Sequence, residues 1–269
     1  MIRPINELTA DDISVFWDDL ISVAEKESKK NVLISGLIDY LILKPQGIGN
    51  ILSAIIVEGL GNIPHFERSF GNICKNIISS NPDIVCDSTR DINAFYQRDP
   101  ACKKKYQVII FYKGFHALLV HRVANSLWRC GQHDFAHYLN YLASCKFGVD
   151  IHPGAKISGG VFLDHGTGIV IGETAVIEKN VSILQGVTLG GTGKETKDRH
   201  PKVAESVLIG AGAKLLGNIK IGKYSKIGAG TVLLKDVTEN STVVGVPGKV
   251  VGVLPEDERP GQSMDQKLD

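Results

Sequence analysis

No two of the five cysteines form a CxxC pair, and Cys74, Cys86, Cys102, Cys130 and Cys145 fall at no metal-ligand spacing. An odd, scattered set in a chain of 269 residues reads as reduced thiols and argues against a disulfide framework or a zinc ribbon. Charge of one sign is also missing: the formal net charge is +1. That excludes the basic surface of a nucleic-acid binder and the cationic patch of a membrane-surface protein. The opening MIRPINELTADD has neither a basic n-region nor an apolar h-region. No apolar run is long enough to span a membrane, because Val108–Val123 is broken by Lys113, His116 and His121. These absences point to a soluble, cytoplasmic protein. Aromatics are scarce (7 %), with both tryptophans, Trp17 and Trp128, before about Lys146 and few aromatics after it.

What fills that later part is a six-residue beat. Ile151, Ile157 and Leu163 keep step, then Ile171, Ile177, Ile183 and Leu189, then Val203, Ile209, Leu215, Ile221, Ile227 and Leu233. A small or β-branched residue stands four places after nearly every beat, as at Ala155, Val161, Ala175, Val207 and Ala213. A hexapeptide period marks a parallel β-helix, in which three hexads close one triangular coil. The expected fold is therefore α+β in two parts: an N-terminal all-α region over 1–146, then a left-handed parallel β-helix over 147–254 of roughly four coils, then a flexible tail over 255–269. Helices are expected at 10–23, 31–43, 48–60, 66–79, 89–97, 114–130 and 133–146, punctuated by Pro45, Gly61, Pro64 and Pro82. The beat fails twice, at a two-residue slip near Ile169 and at an insertion, 190–202, that leaves the prism as a loop.

Chemistry-bearing side chains gather at those two breaks. His165 precedes the slip with Asp164 beside it, Arg199 and His200 lie in the loop, and Asp150 stands fifteen residues before His165. A histidine poised near neutral pH is the natural general base, and Asp150 the natural group to orient it. A zinc reading of His152, His165 and His200 is disfavoured, since their gaps of thirteen and thirty-five residues do not match the paired histidines of hexapeptide carbonic anhydrases. His133 and His137, four apart on a helix, lack a third ligand nearby. The run Gly190-Gly191-Thr192-Gly193-Lys194-Glu195 is not a phosphate loop, because Thr188 replaces its first glycine and Glu195 its Ser or Thr. No metal is expected.

The segments VDIHPGA (149–155), LDHGTG (163–168), IGETAVI (171–177), VSILQGVTLGGTGK (181–194) and DRHPK (198–202), with RDPA (98–101) and KGFHAL (113–118) upstream, resemble bacterial serine O-acetyltransferase. The resemblance implies acetyl transfer from acetyl-CoA, a co-substrate and not a resident cofactor, to the hydroxyl of L-serine. It implies His165 as base with Asp150 as its partner, Asp99 and Asp164 toward the serine ammonium, and Arg199 and His200 toward its carboxylate. Acetyl-CoA would lie near Gly191, Ala211 and Ala229, with Lys249 toward the nucleotide phosphates. It further implies a homo-trimer of prisms paired into a hexamer, and inhibition by L-cysteine. It also implies a partner, O-acetylserine sulfhydrylase, whose docking through a C-terminal isoleucine the Leu268-Asp269 end does not reproduce. Gly166 and Gly186 depart from the alanine and serine usual in the family. The alternatives are an O-acetyltransferase for a sugar or antibiotic hydroxyl, which has no need of the zwitterion-matching Asp99, Arg199 and His200, and a non-catalytic β-helix scaffold.

Overall fold

The computed structural model describes residues 9–61, 69–193 and 195–267. The helical region comprises α1 (Ala10–Lys30), α2 (Val32–Ile38) running into a π-helical turn at Asp39–Leu43, α3 (Ile48–Leu60), α4 (Phe70–Ser80), α5 (Pro82–Arg98), α6 (Lys105–Phe111), α7 (Lys113–Arg129) and α8 (His133–Phe147). Thr9 caps α1 in a reciprocal box with Asp12. Two elements differ from expectation. α5 begins at Pro82 instead of 89, because proline at the first helical position needs no N–H partner and starts the helix where it was read as a break. α6 is an additional helix, its Tyr106, Val108, Ile109 and Ile110 buried. The beginning of the helix expected over 66–79 lies outside the described residues.

Among the described residues the hexads fold as fifteen strands on a triangular prism. β1 (Val149–Ile151), β4 (Ile169–Ile171), β7 (Thr188–Gly190), β10 (Lys214–Leu216) and β13 (Val232–Leu233) stack as a first face; β2 (Lys156–Ile157), β5 (Val176–Ile177), β8 (Lys202–Val203) and β11 (Lys220–Ile221) as a second. The third face holds β3 (Phe162–Leu163), β6 (Ser182–Ile183), β9 (Leu208–Ile209), β12 (Lys226–Ile227), β14 (Ser241–Val244) and the antiparallel β15 (Lys249–Val253). Pairing between coils is parallel, and the beat residues align one over another: Ile151, Ile171, Leu189, Leu215 and Leu233 form one buried ladder. This is the left-handed parallel β-helix expected from the period. The first face has five strands, and β14 carries Val243 into the core above Ile227, so the prism has about one coil more than the beats alone suggest.

The helices pack on the first coil. Phe95 of α5 meets Phe162 of β3 edge-to-face at 4.7 Å. Gly114 of α7 lies so close to β3 that an added Cβ would stand 2.2 Å from the Leu163 carbonyl oxygen. Gly114→Ala is expected to lower stability by about 1–3 kcal/mol through overpacking against rigid backbone, read as a drop in the denaturant midpoint at unchanged slope.

The tail also differs from expectation. Pro260–Ser263 form a short helix, α9, with Pro260 and Gly261 buried against the third face. The Gly261 N–H donates to the Ser206 carbonyl at 2.8 Å, and Ser182 Oγ donates to the Gly261 carbonyl at 2.5 Å. A polar, charged composition reads as mobile, but a glycine small enough to enter the groove between coils, where an added Cβ would meet the Asn180 carbonyl at 2.5 Å, ties the segment down.

Candidate active site

His165 lies at the edge where the third face turns into the first. Its backbone is left-handed, φ +54°, and Gly166 and Gly168 follow at +70° and +75°. Short-range bonds from Gly166 N to the Asp164 carbonyl and from Thr167 N to the His165 carbonyl take up the two extra residues of the slip. A non-glycine residue with φ in this region is strained. An alanine at Gly166 would add to that strain, since its Cβ would lie 3.1 Å from the Val149 side chain. The histidine side chain projects outward, 75 % exposed, with its Nε2 3.8 Å from Asp164 Oδ1.

Around it the structure gathers two carboxylates, Asp164 and Asp99. Burial raises the Asp164 carboxyl above the usual carboxylate range, His165 draws it down, and the neighbouring Asp99 carboxylate pushes it up again. Asp99 caps the end of α5, accepts the Ala101 N–H at 2.8 Å and takes a hydrogen bond from Tyr112. Burial first, and that bond second, push the Tyr112 hydroxyl well above its ordinary range. Asp99, Asp164 and His165 therefore converge, joined by Tyr112, which the sequence reading did not single out.

The same edge continues up the prism as a ladder of small residues. Gly186 N bonds to the Thr167 carbonyl, Gly212 N to that of Gln185 and Gly230 N to that of Ala211, at 2.8 to 2.9 Å. Ala211 and Ala229 thus sit one and two coils beyond Gly186, and Lys249 pairs with Val244 near the top of the same edge. His165, Ala211, Ala229 and Lys249 share one line, about 19 Å long at one strand spacing per coil.

Arg199 and His200 occupy the opposite edge of the first face, where it turns into the second. Thr174 holds them. Its Oγ accepts the N–H of Arg199 at 3.0 Å and of His200 at 3.1 Å, and lies 2.9 Å from His200 Nδ1. The Thr174 N–H also donates to that Nδ1, at 3.1 Å. Nδ1 is therefore an acceptor, which leaves the proton of the neutral ring on Nε2. Burial, and then the Arg199 charge, lower the His200 pKa, consistent with that neutral form. Its ring packs on Gly172, where a Cβ would stand 2.1 Å away, and the residue is only 6 % exposed. Arg199 pairs with Glu173 at 2.7 Å and lies against Gly191. Lys202 closes the loop through Asp198 at 2.5 Å and the Thr174 and His200 carbonyls. Glu173 and Thr174 went unread although they stand in the IGETAVI segment; a threonine beside a loop closing 26 residues later was the available signal.

Asp150 lies between the two edges, exposed in the middle of β1, its Oδ1 bonded to Asn140 Nδ2 at 3.0 Å. It makes no ion pair with His165, whose nearest carboxylate is Asp164. Within one chain the site residues thus fall into two groups across one face, Asp99, Asp164, His165, Ala211, Ala229 and Lys249 against Gly191, Arg199 and His200. His133, His137 and His152 gather around Trp128, with ring centroids 4.2 to 5.1 Å away. Among the described residues no three His, Cys, Asp or Glu side chains are placed to hold a metal, and no helix is long and apolar enough to cross a membrane.

Comparison with known proteins shows the family. Residues 16–119 match the family described as serine acetyltransferase, N-terminal, and residues 200–235 match the bacterial transferase hexapeptide repeats. The serine acetyltransferase of Haemophilus influenzae is 46 % identical over 235 residues, 87 % of this chain and 88 % of that protein. The chain belongs to the serine acetyltransferase family. A serine acetyltransferase solved in complex with cysteine superposes with a TM-score of 0.92 at 43 % identity, covering 96 % of this chain and all of that one. The serine acetyltransferase of Brucella abortus strain S19, in complex with coenzyme A, does so with a TM-score of 0.87 at 42 % identity, covering 92 % and 99 %. The family is an acyltransferase family, and the α-helical N-terminal region and the hexapeptide prism are the parts its members share with this chain.

Proposed function

We propose that this chain, a serine O-acetyltransferase, carries out its reaction along the edge that bears His165. Acetyl-CoA lies on the line of Ala211, Ala229 and Lys249, the lysine facing its phosphates, which places the thioester at the His165 end. The serine ammonium enters between Asp99 and Asp164, and its carboxylate meets Arg199, with the His200 Nε2–H beside it. His165 takes the serine hydroxyl proton as the oxygen attacks the thioester carbonyl, then returns it to the departing CoA thiolate. The exposed imidazole is free to turn toward Asp150, whose negative charge steadies the imidazolium. Catalytic contacts of this kind are commonly longer before substrate binds.

The single observation that carries this reading is the split of the site across the first face. A three-fold assembly with first faces turned inward sets the His165 edge of one protomer against the Arg199 edge of the next, completing a zwitterion pocket that one chain does not close. The functional unit is therefore a homo-oligomer, at least a trimer, acting in the cytoplasm. L-Cysteine, which carries the same ammonium and carboxylate, competes for the serine pocket.

The test follows loss of the acetyl-CoA thioester by its ultraviolet absorbance, with L-serine, sugars or no acceptor present. Serine alone should give turnover, and L-cysteine should suppress it competitively against serine. Turnover with a sugar and none with serine would remove the assignment.

A further inference from the structure

We propose that Asn140 is a positioning residue for the reaction, reaching from the helical region to hold the Asp150 carboxylate in place for His165. The inference rests on the reading above, in which Asp150 serves His165.

The need for such a residue comes from the end of the prism. β1 is the edge strand of its face, with β4 on one side and no coil on the other. The His152 N–H donates across to the Ile171 carbonyl of β4, whereas the Ile151 N–H points the other way, as alternate residues of a parallel strand do. An edge N–H left buried without a partner is costly. α8 lies against β1, and Asn140 Oδ1 accepts the Ile151 N–H at 3.2 Å. Backbone nitrogen can only donate, so the amide atom facing it must be the oxygen, and Nδ2 must face the other way. That places the Asn140 donor on Asp150 Oδ1 at 3.0 Å.

One amide thus performs two tasks: it closes the open edge of the sheet and pins one oxygen of the exposed carboxylate. Among the described residues the Asp150 carboxylate has no other hydrogen-bond partner. Asparagine is a poor choice for a helix interior, and at position 140 its side chain engages two groups of β1. The bond immobilises a carboxylate that would otherwise sample several rotamers on an open face, and a displacement near 1 Å at a reacting group can reduce turnover about 10²-fold.

Asn140→Asp separates the two tasks. It keeps an acceptor for the Ile151 N–H and nearly the same volume, but replaces the donor facing Asp150 by a repelling oxygen. Asn140→Ala removes both bonds. The expected result for Asn140→Asp is a fall in kcat of about 10- to 100-fold, with KM for serine and acetyl-CoA little changed and the thermal midpoint retained; Asn140→Ala should lose both kcat and thermal stability. Asn140→Asp with normal kcat would show that the amide only closes the sheet edge and would overturn the inference. Asp150→Asn, assayed in parallel, keeps the two failures apart. If it retains activity, the reading of Asp150 falls and this inference with it. If it is impaired while Asn140→Asp is not, this inference alone falls.

Discussion

His165→Ala is expected to lower turnover by about 10²- to 10⁴-fold while leaving the fold intact. The size of the loss follows from the proposed role: serine's hydroxyl is a weak nucleophile near neutral pH, and among the described residues no other histidine lies on the edge that carries Asp164. His200 does not substitute, because its Nδ1 is taken up by Thr174 and its ring packs on Gly172 across the first face. The fold survives because the imidazole is 75 % exposed in the single chain. Histidine tolerates the left-handed backbone at this position better than alanine, so the substitution also carries a small loss of stability. Steady-state kcat measured beside sedimentation or light scattering separates the two effects. A variant with near-normal turnover would remove His165 from the role of base.

Arg122→Met is the expected severe stability defect, about 3–5 kcal/mol. Arg122 is buried between α5, α7 and the first coil. Its Nε and Nη2 donate to Asp91 Oδ2 at 3.0 and 2.6 Å, and its Nη1 to Asp87 Oδ2 at 3.2 Å. The remaining donors reach the Ile157 and Ser158 carbonyls at 3.2 and 3.1 Å. Burial drives the Asp91 carboxyl up, to about 6 even with Arg122 in place to draw it down. Methionine matches much of the arginine's length but leaves Asp91 without its counter-charge and two prism carbonyls without donors. The measurement is the denaturant midpoint. Asp91→Asn combined with Arg122→Met should recover part of the loss. The uncompensated charge is then gone, and the new amide oxygen can still accept the Val161 N–H that Asp91 holds at 3.0 Å. A midpoint unchanged in the single variant would mean that the Arg122–Asp91 pair adds nothing to the joining of the helices to the prism.

The helical region and the prism differed in how far they could be read in advance. The ladders of Ile151, Ile171 and Leu189 were legible because a period of six is local information: each hexad carries its own strand, turn and inward side chain. The start of α5 was not, since a proline reads equally as a stop or as a first helical residue. The docked Pro260–Ser263 turn was hidden for a related reason: its hold depends on Ser182 and Ser206, 79 and 55 residues away.

The chemistry divided in the same way. The sequence alone determined the triangular fold, the two interruptions and the identity of the side chains beside them, because a broken period is visible without knowing what lies opposite. Only the tertiary structure decided which of those side chains meet. It drew Asp99 to Asp164 and His165 across 66 residues of chain, set Arg199 and His200 on the far edge with Thr174 beneath them, and placed Asp150 against Asn140 of α8. Those pairings arise from the stacking of coils and the docking of helices on the first coil, and neither is encoded within any six residues.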